Sequence, residues 1–237
     1  MNTSLRAGVL AAGWGERLRT SAAPLKPLVT VGGETLIERV FRSMADAGAT
    51  HVTLIINEAS SAVRDHVARN EWPFALRWIV ETTPSSMHSF LRLVEELARD
   101  GSTGPYLLST VDTVAGPKAY AEFMARANAE GAAVALALTS PGDDEKPLLV
   151  RMTPGDSRIE AFGEGDQATA GIYAVSPIVL REAEAARGDG LDALRKFLGR
   201  LLERGYHLAG IPIAGSIDVD YPSDIAAAEM FLRSAEK

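Results

Sequence analysis

The chain has 237 residues, 46% of them apolar, and a formal net charge of -7. That length suits one substantial core near the upper limit for a single domain, and the acidic balance argues against nucleic acid as a partner for the whole surface. The absence of cysteine excludes disulfides, thiol catalysis and Cys-zinc sites together.

The N-terminus is polar, and the short apolar run after it is broken by Gly8 and Gly13, unlike a secretory signal. No stretch approaches the roughly 18 apolar residues of a membrane span. The expectation is a cytoplasmic protein with no membrane partner.

Residues 7–12 are apolar, end in glycine and are predicted as a buried strand. A loop carrying glycine and arginine follows over 13–27. Thr35 opens an amphipathic helix through Leu36, Ile37, Val40, Phe41 and Met44, stopped by Gly48. A strand is expected over 51–56, a helix over 60–70 and a strand over 76–80. The helix predicted over 87–99 puts Phe90, Leu91, Val94 and Leu97 on one face. A strand over 106–109 leads to Asp112, and Pro117 at a first-turn position starts a helix to residue 129.

Further on, a strand is expected over 133–138 and a polar loop over 141–146. Strands 148–152 and 159–162 flank Pro154-Gly155-Asp156, which reads as a hairpin turn. A strand over 172–175, helices over 177–186 and 191–204, strands over 208–213 and 217–219 and a helix over 222–234 complete the chain. No repeat or linker divides it, so residues 1–237 read as a single domain. Alternating strands and helices predict an α/β fold, a mainly parallel sheet covered on both faces with an antiparallel addition. Ligands of such sheets bind at the carboxyl ends of the strands, where the glycine loop and Asp112 both fall.

The segment from Leu10 through Ala11, Ala12, Gly13 and Gly15 to Arg17 and Leu18 carries the strongest signal. Its glycines allow a tight turn whose amide N–H groups form an anion-binding concavity. Arg17 adds a forked donor for phosphate oxygens, and Lys26, ahead of Pro27, adds a point charge. A dinucleotide fingerprint needs a third glycine where Leu18 stands, and a Walker A loop needs a G-K-[ST] that is absent. On these residues alone, an ordinary strand-to-helix turn with solvated arginines fits equally well. Asp112 beyond its strand suits magnesium, which takes one or two carboxylates plus phosphates and water; it suits a turn or cap aspartate as well.

The run from Leu10 to Leu18, the following Lys26-Pro27-Leu28 and then Thr35-Leu36-Ile37-Glu38 resemble the sugar-phosphate nucleotidyltransferase family, whose signature is L-A-A-G-x-G-x-R-L, a spacer and K-P-L. The chain looks most similar to the short N-acetylmuramate-phosphate uridylyltransferase type. The resemblance implies the Rossmann-like, three-layer α/β/α nucleotide-diphospho-sugar transferase fold with a mixed, mainly parallel sheet. It implies a nucleotide site at Leu10, Ala11, Ala12, Gly13 and Gly15, with Gly15, Arg17 and Lys26 on the triphosphate and the latter two as catalytic residues. It implies Mg2+ on Asp112, and on Asp220 within Asp218-Val219-Asp220-Tyr221-Pro222-Ser223-Asp224, with Asp218 as the runner-up and Asp224 as a first-turn helix acid.

Residues 81–89 resemble the family's base-reading segment, E-x-x-x-G-T-A, with serines Ser85 and Ser86 in place of the glycine and its neighbour. Ser86 is the nucleotide candidate there, although serines at a helix start are usually caps. Thr169-Ala170-Gly171-Ile172-Tyr173 resembles a T-A-G-I-Y segment whose glycine lies against the sugar, and Phe162-Gly163-Glu164-Gly165 resembles F-x-E-K. Asp112, Glu164 and Gly171 are thus the expected acceptor contacts. The lysine of that last motif is replaced by Gly165, so Lys146 or Arg158 would have to serve instead, or the acceptor differs, or activity is weakened.

The implied partners are a nucleoside triphosphate and a phosphorylated small-molecule acceptor, with pyrophosphate released; a homo-oligomer is left open. The competing functions are a catalytically impaired nucleotide-binding regulatory module and a nucleotide-sugar-dependent glycosyltransferase. The second would not ordinarily need the loop from Gly13 to Lys26.

Overall fold

The computed structural model describes residues 4–13, 15–18, 25–141 and 147–235. In chain order the strands and helices are β1 (Leu5–Ala11), β2 (Thr30–Val31), β3 (Glu34–Thr35), α1 (Leu36–Asp46), β4 (Ala49–Ile56), α2 (Ser61–Val67), β5 (Ala75–Val80), α3 (Ser86–Ala98), β6 (Tyr106–Thr110), β7 (Thr113–Ala115), α4 (Ala119–Glu130) and β8 (Val134–Thr139). There follow β9 (Leu149–Met152), β10 (Ile159–Phe162), β11 (Gln167–Val175), α5 (Ala183–Gly188), α6 (Leu194–Glu203), β12 (Leu208–Pro212), β13 (Ser216–Asp218) and α7 (Pro222–Ala235). Short 3-10 turns occupy Glu16–Leu18, Lys26–Leu28 and Pro177–Glu182.

The apolar strands assemble into one nine-stranded mixed sheet, in the order β10-β9-β11-β6-β1-β4-β5, with β8 joined to β11 and β12 to β8. Strands β5, β4, β1 and β6 run parallel, and β11 runs antiparallel to β6, β8 and β9. Side chains alternate across a strand, so neighbours feed opposite cores. Leu107, Ala135 and Ile172 join Val40 and Phe41 of α1 and Phe123 of α4 on one face. Leu108, Leu136 and Tyr173 join Phe90 and Leu93 of α3 and Phe197 of α6 on the other. The three-layer α/β/α arrangement follows from that alternation.

Helix α1 begins in a capping box: the Thr35 hydroxyl accepts from the Glu38 N–H at 3.4 Å, and the Glu38 carboxylate accepts from the Thr35 N–H at 2.9 Å. Helix α4 corrects one expectation. Pro117 lies outside the first turn, because Lys118 at the N-cap takes a left-handed conformation (φ 61°) and the helix begins at Ala119. Among the described residues no helix is long and apolar enough to cross a membrane.

The sheet order places the site. From β1 the chain winds outward through β4 and β5, then returns to add β6 on the other side of β1. The crevice between the carboxyl ends of β1 and β6 is therefore a topological switch point, where α/β sheets bind ligands.

Candidate active site

A cleft of about 610 Å3 opens at that switch point. Its walls are the end of β1 with the glycine loop (Leu10 to Gly13, and Gly15), the end of β6 (Thr110 to Asp112), the approach to α3 (Thr83 to Ser86) and the charged groups Arg17, Lys26 and Asp220. The β1 and β6 ends are tied together, since the Val111 N–H donates to the Leu10 carbonyl at 3.1 Å. Asn57, just beyond β4 and buried, donates its amide to the Ala12 carbonyl at 3.2 Å and is itself held by the Ser60 hydroxyl at 2.7 Å.

Lys26 is the centre of the charge arrangement. Its Nζ lies 2.5 Å from a carboxylate oxygen of Asp112 and 2.5 Å from one of Asp220. Burial alone would pull the Lys26 pKa down, but the charges and hydrogen bonds of Asp112 and Asp220 outweigh it, and the pKa stands above the ordinary lysine value. Asp112 shows the converse: burial would raise its pKa, and the Lys26 charge, with hydrogen bonds from Lys26 and Thr110, holds it below the usual carboxylate range.

Arg17, in the turn after the glycine loop, lies over the Tyr221 ring at 5.4 Å and 3.8 Å from Asp220. Gly15 has φ +58°, and a Cβ there would stand 2.7 Å from the Cβ of Lys26. A glycine is required both by the backbone and by that close approach, which seats the lysine stem against the loop.

The two aspartates reach this point by different routes. Asp112 follows β6, and its carbonyl accepts from the Val219 N–H at 3.0 Å. Asp220 precedes α7, where the Asp224 carboxylate accepts from the Asp220 and Tyr221 N–H groups at 2.9 and 2.7 Å and so caps the helix start. Two carboxylates thus already share one positive centre, the Lys26 ammonium. That donor set fits magnesium, which is held by one or two carboxylates and completes its shell with phosphate oxygens and water. Among the described residues no group of three or more His, Asp or Glu is arranged around one metal position.

Asp218 stands apart from this pair. It ends β13 opposite Thr113 of β7. Asp218 is exposed over its residue surface; neighbouring protein around the carboxyl and the like charge of Asp112 both push its pKa up, to about 7.

The acceptor-side residues are arranged differently. Glu164 is exposed and pairs with Arg151 at 3.0 Å. Gly171 is buried in β11, and neither it nor Glu164 is among the residues lining the cleft. Gly165 has φ +121°, and a Cβ there would stand 2.0 Å from the Val150 carbonyl oxygen. This backbone cannot carry a lysine at that position. Of the two substitutes, Arg158 sits in the β9–β10 turn away from the cleft lining, and Lys146 lies outside the described residues.

The serines before α3 also depart from simple caps. Ser85 is the N-cap, but its hydroxyl bonds His88 Nδ1 at 2.8 Å instead of a helix N–H. Ser86 lines the cleft and accepts from the Leu194 N–H of α6 at 3.0 Å. Thr83, Ser89 and Leu194 line the cleft as well and were not singled out in the sequence. The signal for Thr83 was its place between a strand end and an amphipathic helix; for Ser89, inside α3, and for Leu194 there was none.

A family model described as the MobA-like NTP transferase domain matches residues 7–200. The mannose-1-phosphate guanyltransferase of Emericella nidulans is 30% identical over 192 residues, which cover 76% of this chain and 52% of that protein. The bifunctional IPC transferase and DIPP synthase of Rubrobacter xylanophilus is 28% identical over 242 residues, covering 94% of this chain and 51% of that protein. The chain spans about half the length of these curated relatives. Among solved structures, the inositol-1-phosphate CTP transferase from T. maritima aligns with a TM-score of 0.76 and 18% identity, covering 100% of this chain and 98% of that one. An apo UDP-glucose pyrophosphorylase aligns with a TM-score of 0.80 and 12% identity, covering 99% and 100%. The fold is therefore that of these transferases.

Proposed function

The chain belongs to the MobA-like NTP transferase family, and from that premise we propose that residues 1–237 act as a single-domain, magnesium-dependent nucleotidyltransferase. It joins a nucleoside triphosphate to a phosphorylated small molecule of the sugar or cyclitol class and works in the cytoplasm, where these substrates are supplied. The carrying observation is the convergence of Arg17, Lys26, Asp112 and Asp220 beside the glycine loop in one cleft. The relatives named for mannose 1-phosphate and inositol 1-phosphate support the acceptor class.

In this reading an oxygen of the acceptor's phosphate attacks the α-phosphorus. A new P–O bond forms, the bond to the β-phosphate bridging oxygen breaks, and pyrophosphate leaves with the electron pair. A phosphate monoester is already a nucleophile, so the protein's work is positioning and charge neutralisation. The backbone from Leu10 to Gly15 holds the nucleotide, and Arg17 and Lys26 stabilise charge developing on the α-phosphate and the departing group. Asp112 and Asp220 would hold the magnesium, which would supply neutralisation of phosphate charge and orientation of the reactants. Ser86, at the start of α3 on the cleft wall, is read as the base contact.

One observation favours a second reading, a nucleotide-binding module without turnover: Gly165 cannot supply the acceptor cation of related motifs. The deciding experiment is pyrophosphate release with Mg2+ across five nucleoside triphosphates and a panel of sugar and cyclitol phosphates. Release that requires one triphosphate and one acceptor, and is lost in Asp112→Ala, is the expected result. Triphosphate binding with no release from any pair would favour the module.

A further inference from the structure

The glycine loop leaves the sheet between two strands that part from β1. The ladder between β1 and β4 runs as far as the pair Ala11 and Ile56, and that between β1 and β6 as far as Leu10 and Thr110. Beyond them β1 passes into the glycine loop and β4 into the turn before α2. On the β6 side the Leu10 carbonyl is met by a backbone group, the Val111 N–H. On the β4 side the Ala12 carbonyl is met by a side chain, the Asn57 carboxamide, at 3.2 Å.

That carboxamide is fixed at both ends. Its nitrogen donates to Ala12, and its oxygen accepts from the Ser60 hydroxyl at 2.7 Å. The reverse orientation would set the amide oxygen against the Ala12 carbonyl oxygen, and neither could donate. Asn57 and Ser60 are each 2% exposed. Ser60 is the N-cap residue of α2, yet its hydroxyl makes no capping bond. A serine there ordinarily stabilises the helix by capping it; this one is turned to Asn57 instead. The turn is also fastened from behind. The Ser60 N–H donates to the Asn57 carbonyl at 3.0 Å, the Glu81 N–H to the Ile56 carbonyl at 2.9 Å and the Glu58 N–H to the Thr82 hydroxyl at 3.3 Å.

Burying an amide is costly unless it is hydrogen-bonded, and an apolar residue would fill the same space. What the amide adds is direction. A peptide unit is planar and trans, so holding the Ala12 carbonyl toward β4 turns the Gly13 N–H of the same unit the opposite way, toward the β6 side. The cleft opens there, and Ala12 and Gly13 both line it.

We propose that Asn57 is a positioning residue for the nucleotide: by holding the Ala12 carbonyl, it aims the Gly13 N–H into the cleft as a donor to the phosphate chain. This rests on the nucleotide role given to the loop above. Asn57 itself is assigned no contact with substrate or metal.

The test is calorimetric titration with the five nucleoside triphosphates in Mg2+, beside Mn2+ binding without nucleotide, read by electron paramagnetic resonance. Asn57→Leu, close in size but without a donor, should raise the Kd of the triphosphate that the wild type binds best by about 10-fold and leave the Mn2+ constant within about 2-fold. Asp112, Asp220 and Lys26 are untouched by the change. In pyrophosphate release, KM for the triphosphate should follow its Kd while KM for the acceptor stays. A residue that merely supports the fold would weaken both ligands or neither. Ser60→Ala, which frees the carboxamide to turn, should give the same selective loss and stands in if Asn57→Leu fails to fold. A wild-type triphosphate Kd in the folded variant, or an equal loss of Mn2+ binding, would overturn the positioning role and leave the proposed function standing. No binding of any of the five by the wild type would overturn both.

Discussion

At the scale of single residues, Lys26 sets the strongest constraint. Its ammonium stands between the two carboxylates that would hold magnesium, 2.5 Å from each. The ammonium occupies the carboxylate oxygens that a divalent ion would need, so in the absence of nucleotide Lys26 and a divalent ion compete for Asp112 and Asp220. A triphosphate entering with its metal offers Lys26 a new anionic partner. Lys26→Met should therefore bind Mn2+ more tightly than the wild type without nucleotide, by several-fold, while kcat falls by about 100-fold for want of one preorganised donor. Calorimetric titration and steady-state pyrophosphate release read the two effects separately. Weaker Mn2+ binding in Lys26→Met would sink the competition, and an unchanged kcat would remove Lys26 from the catalytic group.

Much of this cluster was legible at the residue level. The order Gly13, Gly15, Arg17, Lys26 carries a pattern, and Asp112 and Asp220 sit at the expected ends of a strand and before a helix. The contact between the Thr110 and Thr113 hydroxyls, 2.8 Å apart, was not legible. It depends on a bulge in β11, some sixty residues away, where local sequence sets neither the register nor the space beside Gly171.

At the scale of elements, α3 matters because its start forms one wall of the cleft while its far end is fixed to β5. Glu96, 6% exposed, receives Arg77 of β5 at 3.1 Å, Arg92 at 3.2 Å and Arg99 at 3.4 Å. Burial would raise the Glu96 pKa; hydrogen bonds from Arg92 and Arg77 and the charges of Arg99 and Arg92 overcome this and hold it below the ordinary 4.5. A carboxylate lowered by folding contributes stability above its unfolded pKa, and the contribution is lost as pH falls through the folded value. Arg77 and Arg99 are mostly in water, which screens their share.

Glu96→Gln should therefore cost about 1–2 kcal/mol at pH 7, and the difference from wild type should shrink as pH drops below 4.5. Urea unfolding at pH 7, 5 and 3.5 measures it; a gap that stays constant across that range would show that charge is not its origin. The amphipathic face of α3 was plain in the sequence, as was the apolar run of β6. The two- and three-residue strands β2, β3, β7 and β13 were read only in part. Their pairing comes from distant partners, as when Thr113 meets Asp218 across 105 residues, and runs this short carry no periodicity of their own. Pro117 misled for a local reason: the left-handed Lys118 separates it from the helix it was expected to open.

At the scale of the whole molecule, strand order decides where chemistry can occur. Because β4 and β6 flank β1 on opposite sides and all three run parallel, the connections leaving β1 and β6 diverge, and the crevice between them is open to a ligand. The late strands β12 and β13 and helix α7 then bring Asp220 back over that crevice from the far end of the chain. Any ligand seated there bridges the glycine loop, the β6 end and the segment before α7, and so opposes global unfolding. A ligand that binds only the folded state adds about 2.7 kcal/mol of stability at a hundred times its Kd, which for a domain of this size raises Tm by about 5–10 °C.

The cognate triphosphate with Mg2+ should produce that rise, and Asp112→Ala should remove most of it. A calorimetric scan across the five triphosphates would identify the base independently of turnover. A rise with a triphosphate but no pyrophosphate release would leave a binding module as the function of the cleft. No rise with any of the five would mean that the switch point, although open and charged, does not hold a nucleotide.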